Sequence, residues 1–469
     1  MAPVDVVVVG AGLSGLICAR ELLRAGLEVR VLEARERIGG RLHSLTTAGG
    51  IAVDLGGQWG GRSHHLLSDL VDGMGLRRFP TYYEGDGIFH WQGVGHRCGL
   101  EPDFTSSLLF FRPDALPLPT EQIVQTMQIQ REFYHLVAQV PAATPWTAPG
   151  ATQLDRTTIA SWLSRRGACP LARYPFSWLT RVGGSGGFEP WESSMLHLAW
   201  TQAVAPQREA PEAWLVEGAM GQVARRLAAE MGSRIELRAP VRAIEDTVDG
   251  VKVSHDGGEV VAARGVVVAI PPPSRLGIRF SPPLPATWTG LLRRSPMGAM
   301  VKVIAIYPEA FWREHGLNGV GIGNLPTLEI TADISPPGGQ PGLLAAFIAG
   351  ERAVLWQRQD ASARRQAVLS DLAAYWGSRA ASPSELILQN WNEEPWTGGA
   401  FTSFLIPGAW SAYGAIWREP HGKVIWAGTE ASTRWPGYFE GAIEAGLAAA
   451  RRLGCVTSNG DHRAPDPGG

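Results

Sequence analysis

Hydrophobic and polar positions change period twice within the first forty residues. "VDVVVVG" is a short apolar run suited to a strand buried on both faces, "SGLICARELLRAGL" carries apolar residues at helical spacing, and "EVRVLEA" returns to a strand. This order predicts a βαβ unit. Far downstream, "VIWAG" reads as another buried strand, followed by the helical "GYFEGAIEAGLAAARRL". Between them, "SRIELRAPVRAIEDTVDGVKVSHDGGEVVAARGVVVAIPPP" predicts strands and hairpins, with turns at Asp249-Gly250 and Asp256-Gly257-Gly258 and a prolyl stop. The fold class is therefore α/β. A Rossmann-like domain is assembled from the discontinuous segments 1–80, 212–290 and 391–455. The stretches 81–211 and 291–390 mix helical patterns such as "EQIVQTMQIQREFYHLVAQV" with strands such as "MVKVIAIY" and "GLLAAFIAG", and predict an α+β domain on the substrate side. Residues 456–469 are polar and read as a mobile tail.

Composition narrows the function only by exclusion. The chain has 469 residues, enough for two or three domains and a large buried ligand. Lys plus Arg is 42 against 44 for Asp plus Glu, so neither nucleic acid nor an acidic membrane surface is expected as a partner. Cys18, Cys98, Cys169 and Cys455 are scattered without a CxxC pair, which suggests a reducing compartment and no zinc framework. With no signal-like or membrane-length apolar stretch, the protein is expected to be soluble and cytoplasmic.

The chemistry starts at the first turn. Gly10-Ala11-Gly12-Leu13-Ser14-Gly15 is a G-x-G-x-x-G placed where strand becomes helix, and Glu33 ends the following strand. Such glycines let a pyrophosphate approach the backbone and the helix N-terminus, while the acid accepts from ribose hydroxyls. "ARERIGGRLHS" follows at once and puts Arg41 beside a second flexible turn, Gly39-Gly40, within reach of the same phosphates. Two phosphate-facing elements imply a dinucleotide, and FAD accounts for both.

Here a resemblance appears. "VVVVGAGLSGL…VLEARERIGGR…DLGGQW" is similar to the opening of the flavin-containing amine oxidases of the monoamine oxidase type, of which L-amino-acid oxidases are close relatives. The likeness continues in order through "PVRAI", "MGAMVKVIAIY", "WNEEPWTGGAF" and "WAGTEASTRWPGYFEGAIEAG". It implies that Gly10, Gly12, Gly15, Glu33, Arg35, Gly40 and Arg41 hold the adenosine diphosphate half of FAD, with Val241 on the adenine. Gly57, Gln58, Trp59, Trp391, Gly428, Glu430 and Phe439 would lie along the ribityl chain and the isoalloxazine. In "WTGGAFTSF", Gly398 and Gly399 are expected to let the backbone lie against that ring. Ala400 stands where the mitochondrial members carry a cysteine bonded to the flavin, so non-covalent FAD is expected.

The same resemblance makes Lys302, Tyr438 and Phe401 catalytic. The two rings would stand over the flavin face and align an amine, and Lys302 would be bridged by water to the flavin. Independently, one ammonium in the apolar "AMVKVIAIY" is costly unless a partner receives it, the alternative being a lysine that snorkels out at a strand end. The implied reaction is oxidation of a primary or secondary amine to an imine, with O2 reduced to hydrogen peroxide. "GGRSHHLL" departs from the family pattern. Its Arg62 could clamp a carboxylate and make the substrate an L-amino acid, or it is a solvated surface arginine. His64 and His65 are assigned to solvent or hydrogen bonding, with no metal. Trp59, Tyr82, Trp91, Trp200, Phe347 and Trp391 suit an aromatic or aliphatic amine better than a highly charged polyamine. A homodimer and a flavin-binding module without turnover remain open alternatives.

Overall fold

The computed structural model describes residues 4–100, 116–184, 186–206 and 209–454. The valine run forms the strand Val4–Val9, whose last four residues are buried, as suits β-branched side chains inside a covered sheet. It pairs parallel with Val29–Leu32 on one side and Gly258–Val268 on the other. Helix Leu13–Arg24 makes the crossover and buries Leu16, Ile17, Ala19 and Leu22 against the sheet. The sheet has eight strands. Its path runs Arg279–Ser281, Val241–Thr247, Gly250–His255, Gly258–Val268, Val4–Val9, Val29–Leu32 and Ile235–Glu236, and Val424–Trp426 joins through the carboxyl end of Gly258–Val268.

Register sets where the site lies. Val9 is paired with Leu32 and with Val268, and Val268 with Trp426. The residues that follow, Gly10, Glu33, Ala269 and Ala427, therefore arrive abreast at one end of the sheet, where parallel strands open a crevice. Helix Phe439–Arg452 returns from the far end of the chain to pack on Leu13–Arg24, and Gly428 N donates to Ser14 Oγ at 3.0 Å.

A second sheet of seven strands runs Glu385–Asn390, Met300–Tyr307, Gly342–Ala349, Ile330–Asp333, Leu317–Gly323, Asp86–Trp91 and Val94–Gly99. Met300–Tyr307 sits between two antiparallel neighbours and all eight of its residues are buried. Helix Thr120–Val137 packs on both Pro170–Arg181 and Met195–Val204, meeting the former through Phe133 and Phe176. A short ladder joins Arg78–Pro80 to Trp214–Val216, and Gly60 is bridged to Trp214. The expected tail at 456–469 lies outside the described residues, as does Cys455. Among the described residues no helix is long and apolar enough to cross a membrane, and no group of three His, Cys, Asp or Glu side chains could hold a metal ion.

Candidate functional site

A cavity of about 360 Å³ runs from the first glycine turn to the second sheet. At the turn, Gly10 has φ +100°, and a Cβ at Gly15 would lie 2.0 Å from Gly10 O, so helix and turn can close only on glycine. Glu33 is buried, and its carboxylate accepts from Ala11 N at 2.8 Å and from Arg35 N at 2.9 Å. These two amides fix it across the turn and leave lone pairs for a ribose diol. Arg35 donates to Glu394 at 2.8 Å and to Thr397 at 2.6 Å, and Arg41 donates to Glu430 at 2.6 and 3.1 Å. Burial alone would raise the Glu430 carboxyl, but Arg41 and Arg275 bring it below its ordinary range, so it stays ionised.

At the other end stands Lys302, 2% exposed in the middle of a fully buried strand. A snorkelling lysine is thereby excluded. Its Nζ donates to Gly56 O at 2.7 Å and to Gln58 Oε1 at 2.6 Å, and it lies 5.7 Å from the centre of the Trp59 ring. Burial lowers its pKa to about 7, with the Asp54 carboxylate pulling the other way. An ammonium with two acceptors has one donor left, and a neutral amine in the same place has a lone pair instead. Near neutrality both forms are populated.

Two buried donors on the cavity wall, Gln58 Nε2 and Trp59 Nε1, have no hydrogen-bond partner among the described residues. Buried donors of this kind call for an acceptor. Together with the glycine turn, the pinned acid and the arginines, they suit FAD, whose ring edge carries several acceptors.

The cavity gathers nearly all of the expected residues. Gly10, Gly12, Glu33, Arg35, Gly40, Arg41, Gly57, Gln58, Trp59, Val241, Lys302, Trp391, Phe401, Gly428, Tyr438 and Phe439 line it, as does Ala400. Gly15 and Glu430 lie behind the lining, Gly15 packed against Gly10 O and Glu430 paired with Arg41. Trp391 Nε1 is held by Leu55 O at 2.9 Å. A Cβ on Gly437 would come within 3.7 Å of Phe401 Cδ2, so the chains bearing Phe401 and Tyr438 run side by side.

One expectation is corrected, and several open alternatives are resolved. Gly398 and Gly399 do not line the cavity; Trp396, Thr397, Ala400 and Phe401 do. Gly399 is required for a different reason, because a Cβ there would lie 2.2 Å from Gly298 O. Arg62 is exposed and absent from the lining, so the loop that carries it does not aim it at a substrate carboxylate. Of the six named rings, Trp59, Phe347 and Trp391 line the cavity. Tyr82 lies under the Arg313 guanidinium, Trp91 stacks on Phe89, and Trp200 packs on Trp410. His65 is exposed, whereas His64 is buried, accepts from Gly61 N at 2.8 Å, stacks edge-on against Trp435 and is pushed by burial to about 3. Sequence reasoning missed Tyr83, Trp178 and Glu212, all on the cavity wall. They come from segments with no motif, and only the pairing of 60 with 214 and of 78–80 with 214–216 brings two of them in.

The model of the family described as flavin containing amine oxidoreductase matches residues 13–454. An L-amino acid dehydrogenase from Synechocystis sp. is 36% identical over 450 residues, covering 96% of this chain and 94% of that protein. Cyclohexylamine oxidase from Brevibacterium oxydans has a similar structure, with a TM-score of 0.88 at 31% identity, covering 96% of this chain and 99% of the other. Wild-type putrescine oxidase bound to putrescine gives a TM-score of 0.88 at 30% identity, covering 97% and 100%.

Proposed function

The chain belongs to the flavin-containing amine oxidoreductases, and from that premise we propose that it oxidises a primary or secondary amine where Lys302, Phe401 and Tyr438 close one end of the cavity. The cofactor is FAD. The chemistry that bound FAD would supply is two-electron acceptance from the carbon–nitrogen bond and return of those electrons to O2, so that amine, O2 and water give a carbonyl, hydrogen peroxide and either ammonia, from a primary amine, or a primary amine, from a secondary one.

The protein contributes position, dryness and charge. The glycine turn, Glu33, Arg35 and Arg41 would hold the dinucleotide half, and the unpartnered N–H groups of Gln58 and Trp59 would meet acceptors at the ring end. Phe401 and Tyr438 are the walls between which an amine is oriented and from which water is excluded; such alignment supplies much of a barrier reduction. A reacting amine must be neutral. Lys302 Nζ, with a pKa near 7, can carry or release a proton there without a large energetic penalty. Ala400 offers only a methyl group, so FAD is held without a covalent bond.

The observation that carries this reading is the continuity of the cavity from the Gly10–Gly15 turn to Lys302, Phe401 and Tyr438. The test is anaerobic. Purified yellow protein mixed with benzylamine, alkylamines and secondary amines should lose its visible absorbance and form peroxide when air is readmitted. If no amine bleaches it, the reading is wrong. The similarity to the L-amino acid dehydrogenase favours amino acids as a second substrate class. Among the described lining residues, however, the cations are Arg35, Arg41, Arg242 and Lys302; the arginines are paired with Glu394, Glu430 and Asp256, and Lys302 is held by Gly56 and Gln58.

A further inference from the structure

Tyr438 is backed by two rings that the reaction above does not use. Trp435, 2% exposed, meets it edge-on with ring centres 5.1 Å apart, and His64, fully buried, lies 5.4 Å from it at a tilt of 60°. His64 and Trp435 are 4.5 Å from each other, again edge-on, so the three rings close a triangle. Tyr438 lines the cavity and the other two do not, which puts them behind it.

Both supports are held at a cost. Trp435 has φ +52°, in the left-handed region that a bulky side chain rarely adopts, and Pro436 after it narrows the choice further. Trp435 N donates to Val204 O at 2.9 Å, Tyr438 N donates to Trp435 O at 3.1 Å, and a Cβ on Gly441 would lie 2.2 Å from that same oxygen. The turn is therefore fixed from outside. Burial keeps the His64 imidazole neutral. Since its Nδ1 accepts from Gly61 N at 2.8 Å, the proton sits on Nε2, which meets no acceptor among the described residues. A left-handed tryptophan and an unpaired buried donor are both unfavourable, and such costs collect at active sites, where the surroundings impose them.

The frame that imposes them joins two walls of the substrate end. Gly61 lies on the loop just past Trp59, and His64 N donates back to Gly61 O at 3.3 Å. Helix His65–Gly73 begins at His64, and near its start Leu66 N and Leu67 N donate to the Glu440 carboxylate at 3.0 and 2.9 Å. Glu440 stands in the first turn of Phe439–Arg452, whose capping residue is Tyr438. His64 is thus tied to Trp59 through the loop and to Tyr438 through the carboxylate clamp. Building on the amine-oxidation reading, we propose that His64 and Trp435 are positioning residues, which hold the Tyr438 ring at the angle, and at the distance from Trp59, that presents the amine for oxidation. Lying behind the wall, they act through Tyr438 and touch neither amine nor cofactor.

The experiment uses FAD-loaded protein and the amine of the panel above that bleaches wild type fastest. His64→Asn keeps an acceptor for Gly61 N and removes the ring; His64→Phe keeps a ring and removes the acceptor. His64→Asn should lower the limiting rate of anaerobic bleaching by about 10- to 100-fold, the scale of a misplaced reacting geometry, with FAD affinity changed by less than about threefold. His64→Phe should bleach within about threefold of wild type although it melts earlier. In a Tyr438→Leu background no ring is left to hold, so His64→Asn should slow bleaching by less than about twofold further. A merely structural role would slow both backgrounds alike. An equal loss in the two backgrounds, or no loss in His64→Asn, overturns the proposal. Crystal structures of FAD-loaded wild type, His64→Asn and Trp435→Leu give a reading that needs no turnover. In both variants the Tyr438 ring should turn by more than about 20°, the tolerance of a preorganised site, and a ring left in place in either overturns the proposal. If no amine bleaches wild type, amine oxidation falls, while the ring angle still decides whether Tyr438 is held from behind.

Discussion

Lys302→Met tests the physical premise of the site, that an ammonium is held where burial opposes it. In the unfolded chain this lysine titrates at 10.5, in the fold at about 7. Above 10.5 both states are neutral and burial carries no electrostatic penalty. As pH falls from 10.5 to 7, the unfolded chain binds the proton and the folded one does not, so wild-type stability declines with pH over this window. Below 7 both bind it and the penalty is constant, about 5 kcal/mol. Methionine has no such term. It leaves Gly56 O and Gln58 Oε1 without their donor, about 1–3 kcal/mol each at every pH. The absolute change is thus a contest, but its slope is not. Between pH 10 and pH 7 the variant should gain about 3–4 kcal/mol on the wild type. The assay is denaturant unfolding of the FAD-loaded proteins in buffers across that range. The same samples, mixed anaerobically with amine, should show a bleaching rate in wild type with an inflection near pH 7 that the variant lacks. A stability difference flat to within about 1 kcal/mol, with matching rate profiles, would refute the buried, weakly held proton.

Acid precipitation should leave the yellow chromophore in the supernatant, since the methyl of Ala400 cannot bond it; colour retained in the pellet would contradict this. Gly57→Ala should weaken FAD retention about tenfold or more and lower stability by about 1–3 kcal/mol, because its Cβ would lie 2.6 Å from the Phe439 ring. Flavin titration and thermal unfolding measure the two effects, and wild-type values in both would show that Phe439 yields freely. Arg62→Ala should change amine turnover by no more than about twofold, as expected for an exposed position away from the cavity. A selective collapse of amino-acid turnover in that variant would restore the carboxylate-clamp reading.

Much of this protein was legible in the chain because its signals are local. The valine run, the glycine turn and Glu33 fall within one βαβ unit, where strand period, turn chemistry and helix spacing are consequences of neighbouring residues. The isolated lysine at 302 was conspicuous for the same reason: a charge inside an unbroken apolar run has to be explained wherever that run ends up. Other questions needed the register of strands far apart in sequence. Gly399 looked like a surface for a flat ligand and proves to be one for Gly298 O, because only a long-range approach shows which object excludes the Cβ. Arg62 and Glu212 carry equally plausible charges in the sequence; pairing of residue 60 with 214 holds the two segments together, and the fold leaves one side chain in solvent and the other in the cavity. The sequence by itself determined which chemistry-bearing residues were present and that a glycine turn and an acid would close one βαβ unit, since those depend on residue type and short-range geometry. Which charges face the substrate was decided by tertiary structure alone, because burial belongs to the packed assembly of distant segments and no window of neighbouring residues contains it.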